Sequence, residues 1–146
     1  MEKAHIRTNG GMLTTVTAGQ HTFHADLPEG SNGTDEAPTP EIMLLGAVGS
    51  CMAQTAKLYA NRKGWPLEDV EVELELERFK GGEYSAYEGD SKFVHEIRES
   101  ITLIGPLDDA QKERIMDIIT RCPVRRIITS PVFFEEALHD QELLQD

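Results

Sequence analysis

The sequence predicts a single α+β domain, and three observations predict it. Apolar residues alternate with polar ones in the first and middle parts of the chain, two stretches carry helical periodicity, and the elements follow the order β-meander, long helix, two strands, helix, strand. Strands and helices segregated in this way disfavour the alternating βαβ order of a Rossmann-type sheet. The 146 residues, 39% of them hydrophobic, are the usual size of one domain and enough to bury a core, so residues 1–146 are read as one unit.

Residues 4–27 read as the meander, with strands around His5–Arg7, Leu13–Thr17 and His21–Leu27. Asn9-Gly10-Gly11 and Ala18-Gly19-Gln20 provide the positive-φ positions that tight hairpins require. Residues 28–40, rich in Pro, Gly and polar side chains, are a loop. From Glu41 a long, mostly apolar helical pattern begins, with Pro40 suited to its first turn and Gly64 to its C-terminal cap. It is apolar around most of its circumference over residues 42–53, so it is expected to be the central helix, buried on one side by a sheet and on another by a second subunit.

Between Val70 and Phe79 the alternation is strict, with Val70, Val72, Leu74 and Leu76 on one face and Glu71, Glu73, Glu75 and Glu77 on the other, which predicts a half-buried strand. The acidic row reads as a solvated face sooner than as a cation-binding surface. A polar hairpin loop leads to a second strand from Phe93. After Gly105-Pro106, residues 107–122 form a second helical pattern with Asp108 as N-cap and Leu107, Ile115, Ile118 and Ile119 as buried positions, ending at Cys122 before Pro123. A final strand over 130–139 and an acidic tail complete the chain.

The net charge of −12 argues against a nucleic-acid partner, because neutralising a phosphate backbone needs clustered Lys and Arg. No stretch approaches the roughly 18 apolar residues of a membrane span, and the N-terminus lacks the apolar run of an export signal, so a soluble, cytoplasmic protein without a membrane partner is expected. Two cysteines are too few for a disulfide scaffold; in a reducing compartment such a pair is more often catalytic, redox-active or metal-binding.

By position alone, Cys51 is equally well read as a small core hydrophobe. A reactive thiol needs a cation or hydrogen-bond donor to favour its thiolate, and no cation precedes Cys51 in its own helix. The meander offers Arg7 as its only arginine. Cys51 and Cys122 lie 71 positions apart and react together only if the fold brings their Cα atoms within about 7 Å. The five histidines lack metal-ligand spacing; His21 and His24 joining the two cysteines around zinc is the lesser reading. Trp65 and Phe79 read as packing aromatics, as does Tyr59, which also lies along the helix from Cys51 at i+8.

Residues 38–75, PTPEIMLLGAVGSCMAQTAKLYANRKGWPLEDVEVELE, resemble the central signature of the OsmC/Ohr family, in which a cysteine follows ten places after a Glu, and RCPVRRII resembles that family's second, Cys-Pro motif. The resemblance spans residues 20–138. It implies an intertwined homodimer in which antiparallel sheets flank long central helices, and a thiol peroxidase for organic hydroperoxides. Carried over by motif, Cys51 is the peroxidatic thiol, Cys122 the resolving thiol, Glu41 the carboxylate that orients an arginine, and Arg7 that arginine. No metal or resident cofactor is implied; an external dithiol reductant, such as a dihydrolipoyl protein, is.

Ten residues of helix span about 15 Å, too far for Glu41 and Cys51 to share one arginine on one helix. Either Glu41 belongs to an irregular segment that folds back, or it serves the Cys51 of a second chain, and the resemblance favours the second option and an obligate homodimer. Apolar walls from Met43, Leu44, Val48 and Met52 would suit an alkyl hydroperoxide. The chain departs from the family where His or Ser often follows Cys-Pro-x: here Arg125 and Arg126 stand. They favour the Cys122 thiolate, recognise an anionic substrate or reductant, or pair with surface carboxylates, the last being the commoner fate of such residues. The rival class is a binding module of the same fold that holds a small hydrophobic ligand at the dimer interface, with both cysteines reduced in the core.

Overall fold

The computed structural model describes residues 1–140. It is an α+β fold with antiparallel sheets. Strands β1 (His5–Thr8), β2 (Thr14–Ala18) and β3 (His21–Ala25) form the meander in the order β1-β2-β3, with Val16 opposite both Ile6 and Phe23. Gly10 and Gly19 take positive φ at the two turns, as the hairpins require. Val16 and Ala25 are its buried residues, while Ile6, Met12 and Phe23 remain exposed.

Asp26 is the polar anchor of the loop that follows. Only 2% exposed, its carboxylate accepts from the backbone N–H of Leu27 at 2.8 Å, of Glu36 at 3.0 Å and of Thr34 at 3.3 Å, and from the Thr34 hydroxyl at 2.9 Å. The Glu36 and Leu27 N–H groups hold the Asp26 carboxyl below its ordinary range by favouring the ionised form. Closing this loop delivers Thr39, whose hydroxyl caps the first turn of α1.

Helix α1 (Pro40–Lys63) is one continuous helix of 24 residues, with Pro40 in its first turn and Gly64 closing it at φ +68°. Its row Val48, Met52, Ala56 and Ala60, spaced by four, is fully buried and joins Leu67, Leu107, Ile115, Ile119 and Cys122 in the core.

Strands β4 (Asp69–Lys80) and β5 (Phe93–Ile104) form an antiparallel two-stranded sheet. Val70, Val72, Leu74 and Leu76 pair with Leu103, Ile101, Glu99 and Ile97 on the inner face, where Val72 and Leu74 lie against Gly49 of α1. The acidic row is exposed, and Arg98 gathers Glu75, Glu77 and Glu96 at 2.7–3.1 Å, in keeping with a solvated face. Phe79 packs on Tyr84, and Trp65 meets Tyr59 edge-on, so these aromatics serve packing.

Helix α2 (Asp109–Ile119) starts with a capping box between Asp108 and Gln111. It ends earlier than the sequence pattern suggested. A third helix, α3 (Pro123–Thr129), follows at once with Cys122 as its N-cap, because Pro123 starts a helix here as well as stopping the previous one. The strand expected over 130–139 is absent: residues 131–140 carry no regular element, and Phe133 and Phe134 are 91% and 83% exposed. Apart from Asp140, the acidic tail lies outside the described residues. No helix among those described is long and apolar enough to cross a membrane. The chain presents 11775 Å² of surface, against about 7,500 Å² for a compact monomer of 16.3 kDa.

Candidate active site

Cys51 occupies the α1 position just before core residue Met52, so its side chain is half-buried, on the edge of the core row, in line with Thr55 and Tyr59. Cys122 reaches the same place from the opposite direction. The α2–α3 turn, closed by the Cys122 N–H donating to the Ile119 carbonyl, points its thiol into the core with no exposed surface. The two thiols are free, and Cys51 packs against the core cluster that contains Cys122. Burial pushes the Cys122 thiol up, since charge is costly away from water. The Arg125 backbone and guanidinium nearby favour the thiolate against this, and the neighbouring Cys51 thiol adds to the rise.

Arg125 pairs with a carboxylate, the fate the sequence favoured for it. Its Nη1 donates to both carboxylate oxygens of Glu99, at 2.8 and 3.0 Å, with both side chains largely withdrawn from solvent. The signal was present in β5, where Ile97, Glu99, Ile101 and Leu103 form the inner row: a carboxylate in an apolar row demands a partner. Arg126 instead faces a cleft of about 360 Å³ between α1 and the α2–α3 turn, floored by Leu58, Tyr59, Ile118 and Pro123. Tyr59 is fixed there by its hydroxyl accepting from Arg114 Nε at 3.0 Å.

Other expected site residues lie elsewhere. Glu41 is exposed and is the second residue of α1, so the fold-back alternative is overturned: the helix runs unbroken to Cys51, about 15 Å along its axis. Arg7 is exposed on β1. Among the described residues neither forms an ion pair. Of the apolar wall, Val48 and Met52 are closed core residues that line no open pocket, because their row faces α2; Met43 is half-buried and Leu44 exposed. His21 and His24 are exposed on β3, His24 Nδ1 meeting the Thr15 hydroxyl at 3.3 Å, and no three His, Cys, Asp or Glu side chains converge among the described residues as a metal site would need.

A long helix crossing a sheet, with one thiol on its flank and a second delivered from a helix N-cap, defines a class of small α+β domain built around an apposed cysteine pair. The chain belongs to the OsmC/Ohr family, since the family model for OsmC-like protein matches residues 33–137. Solved structures share the fold. An OsmC-like protein from Mycoplasma pneumoniae superposes with a TM-score of 0.70 at 19% identity, covering 88% of this chain and 86% of that one. An organic hydroperoxide resistance protein OsmC from Legionella pneumophila gives 0.63 at 18%, covering 88% and 89%. The organic hydroperoxide resistance protein OhrB of Bacillus subtilis gives 0.59 at 17%, covering 88% and 90%. No curated protein matches the chain in sequence.

Proposed function

We propose that this protein is a thiol-dependent peroxidase that reduces organic hydroperoxides through Cys51 and Cys122. The observation that carries the reading is the packing of a half-buried thiol on α1 against the core cluster that holds a fully buried one at the α3 N-cap. The Cys51 thiolate attacks a peroxide oxygen, the O–O bond breaks, and the departing alkoxide takes a proton to leave as the alcohol; Cys51 becomes a sulfenic acid. The Cys122 sulfur then attacks the Cys51 sulfur, hydroxide leaves as water, and a disulfide forms. An external dithiol returns the two electrons. The raised Cys122 thiol supports this division, because it stays protonated while the more accessible Cys51 meets the peroxide.

The working unit in this reading is a homodimer. Support comes from the excess surface, from exposed Ile6, Phe23, Phe133 and Phe134, and from an open apolar groove of about 420 Å³ along Ile42, Leu45, Gly49, Val72 and Leu74. A second copy would cover these surfaces and would bring Glu41 and Arg7 of one chain to Cys51 of the other.

The test is thiol titration before and after one equivalent of cumene hydroperoxide, with intact mass under non-reducing conditions. Loss of two thiols and of two mass units without intermolecular linkage is expected, whereas unchanged thiols would overturn the peroxidase. Faster consumption of hydrogen peroxide than of cumene hydroperoxide would overturn the organic substrate, and a monomer in sedimentation at micromolar concentration would overturn the dimer.

A further inference from the structure

The cleft between α1 and the α2–α3 turn gathers positive charge in a chain whose net charge is −12. Three of the 14 basic residues line it, Arg62, Arg121 and Arg126, and none of the 26 acidic ones does. Arg62 and Arg126 form no ion pair among the described residues, and Arg121 shares the single carboxylate of Asp117 with Arg114, each at 2.8 Å. The neighbouring arginines of α3 therefore differ in their state: Glu99 neutralises Arg125, whereas Arg126 turns an uncompensated guanidinium to the cleft. Beneath these charges the floor is apolar, made by Leu58, Ile118 and Pro123 with the Tyr59 ring beside them. The Tyr59 hydroxyl accepts from Arg114 Nε at 3.0 Å, which leaves its own proton to donate.

We propose that this cleft is a binding site for an organic anion, an apolar body carrying a carboxylate or phosphate head. A guanidinium presents paired N–H donors that match either head, and the floor takes the apolar body out of water. The volume of about 360 Å³ lies within the roughly 300–1,000 Å³ of small-molecule sites. Size and field select against larger anions. A nucleic acid or an acidic protein would spread over much of the surface and meet the repulsion of the acidic chain. A small anion held among the arginines is screened from carboxylates farther away than about 8 Å at physiological ionic strength. The site adjoins the cysteine pair, since Thr55 in its lining stands one turn of α1 after Cys51 and Pro123 follows Cys122 directly. The inference does not rest on the thiol-peroxidase reading, because binding here needs no turnover.

The experiment is calorimetric titration of the full chain with decanoate, decyl phosphate, decyltrimethylammonium and inorganic phosphate. The proteins are wild type, Arg126→Gln, the double variant Arg62→Gln/Arg126→Gln, and Arg78→Gln, a control for overall charge on β4. Arg62 and Arg126 are exposed and unpaired among the described residues, so the fold is expected to survive both changes, and melting curves check it. Decanoate or decyl phosphate is expected to bind wild type once per chain, more weakly as salt rises, and the tighter of the two identifies the head group. Arg126→Gln is expected to weaken binding about tenfold, the double variant further, and Arg78→Gln not at all. Absence of saturable binding by either amphiphile, equal binding of decyltrimethylammonium, or wild-type affinity in the double variant would overturn the site. Inorganic phosphate that binds as tightly as decyl phosphate would overturn the part assigned to the apolar floor. Protein that binds decanoate yet keeps both thiols under peroxide leaves this site standing and removes the peroxidase alone.

Discussion

Cys51 and Cys122, 71 positions apart in sequence, are brought to one core cluster: one thiol on the flank of a core helix row, the other at the N-cap of a short helix. The asymmetry between them sets their order of reaction. Cys51 has access to solvent and Cys122 has none, so limited iodoacetamide is expected to alkylate Cys51 first in the native protein, with both modified only after unfolding. Peptide mapping of the label reads this directly, and equal early labelling would contradict the difference in burial. Under peroxide, Cys51→Ser is expected to lose the first turnover, while Cys122→Ser completes it and stops at the sulfenic acid.

The raised Cys122 thiol makes stability depend on alkaline pH. A thiol whose folded value is raised holds its proton more tightly folded than unfolded. Its contribution is present in full below the ordinary thiol value of about 8.5 and is lost as pH climbs through the folded value. Reduced protein is therefore expected to lose thermal stability above that point, and Cys122→Ala to flatten the decline. Melting curves between neutral and alkaline pH, compared for the two proteins, measure it; parallel curves would mean that burial of this thiol carries no linkage.

Much of this arrangement is legible in the sequence because local signals agreed with the fold. Pro40, Gly64 and the Asp108–Gln111 box mark helix ends by backbone chemistry alone, and the Val-Glu alternation of β4 fixes which face turns inward. What escaped was non-local or ambiguous. Pro123 carries two meanings, stop and start, and only the first was read, so α3 was missed and Cys122 was placed on a helix end instead of an N-cap. The Phe133-Phe134 segment has strand propensity but is exposed and adds to neither of the two sheets. Glu99 stands in an inner row that periodicity assigns to the core, yet its partner comes from 26 positions away. Asp26 likewise looks like a surface carboxylate until Leu27, Thr34 and Glu36 converge on it.

The placement of α2, and through it of Cys122, depends on Gly105. Its φ is +139°, and a Cβ there would collide with the Pro66 carbonyl oxygen and come 3.0 Å from the Glu68 nitrogen. Backbone has no rotamer by which to move away, so Gly105→Ala combines strain and clash and is expected to cost about 1–3 kcal/mol or more. Urea denaturation measures the loss. Gly49→Ala is the control, since its Cβ would meet only side-chain atoms, of Leu74 at 3.3 Å and Val72 at 3.8 Å, and it is expected to cost less. Equal effects would show that the β5–α2 connection relaxes freely.

If Glu41 serves the partner's thiol, two defective chains should repair each other. Continuous helix from Pro40 to Lys63 separates Glu41 from the Cys51 of its own chain by about 15 Å, so this exposed first-turn carboxylate cannot reach that thiol within its own chain. In a mixed dimer of Cys51→Ser with Glu41→Gln, the first chain lends an intact Glu41 to the intact Cys51 of the second, forming one complete site; in a site built from a single chain, no complete site exists. Mixing the two variants after mild dissociation and reannealing is therefore expected to restore, in the mixed dimers, about half of the wild-type turnover per dimer, because independent sites contribute additively. Turnover no higher than the average of the two variants alone would show that Glu41 does not serve the partner's thiol.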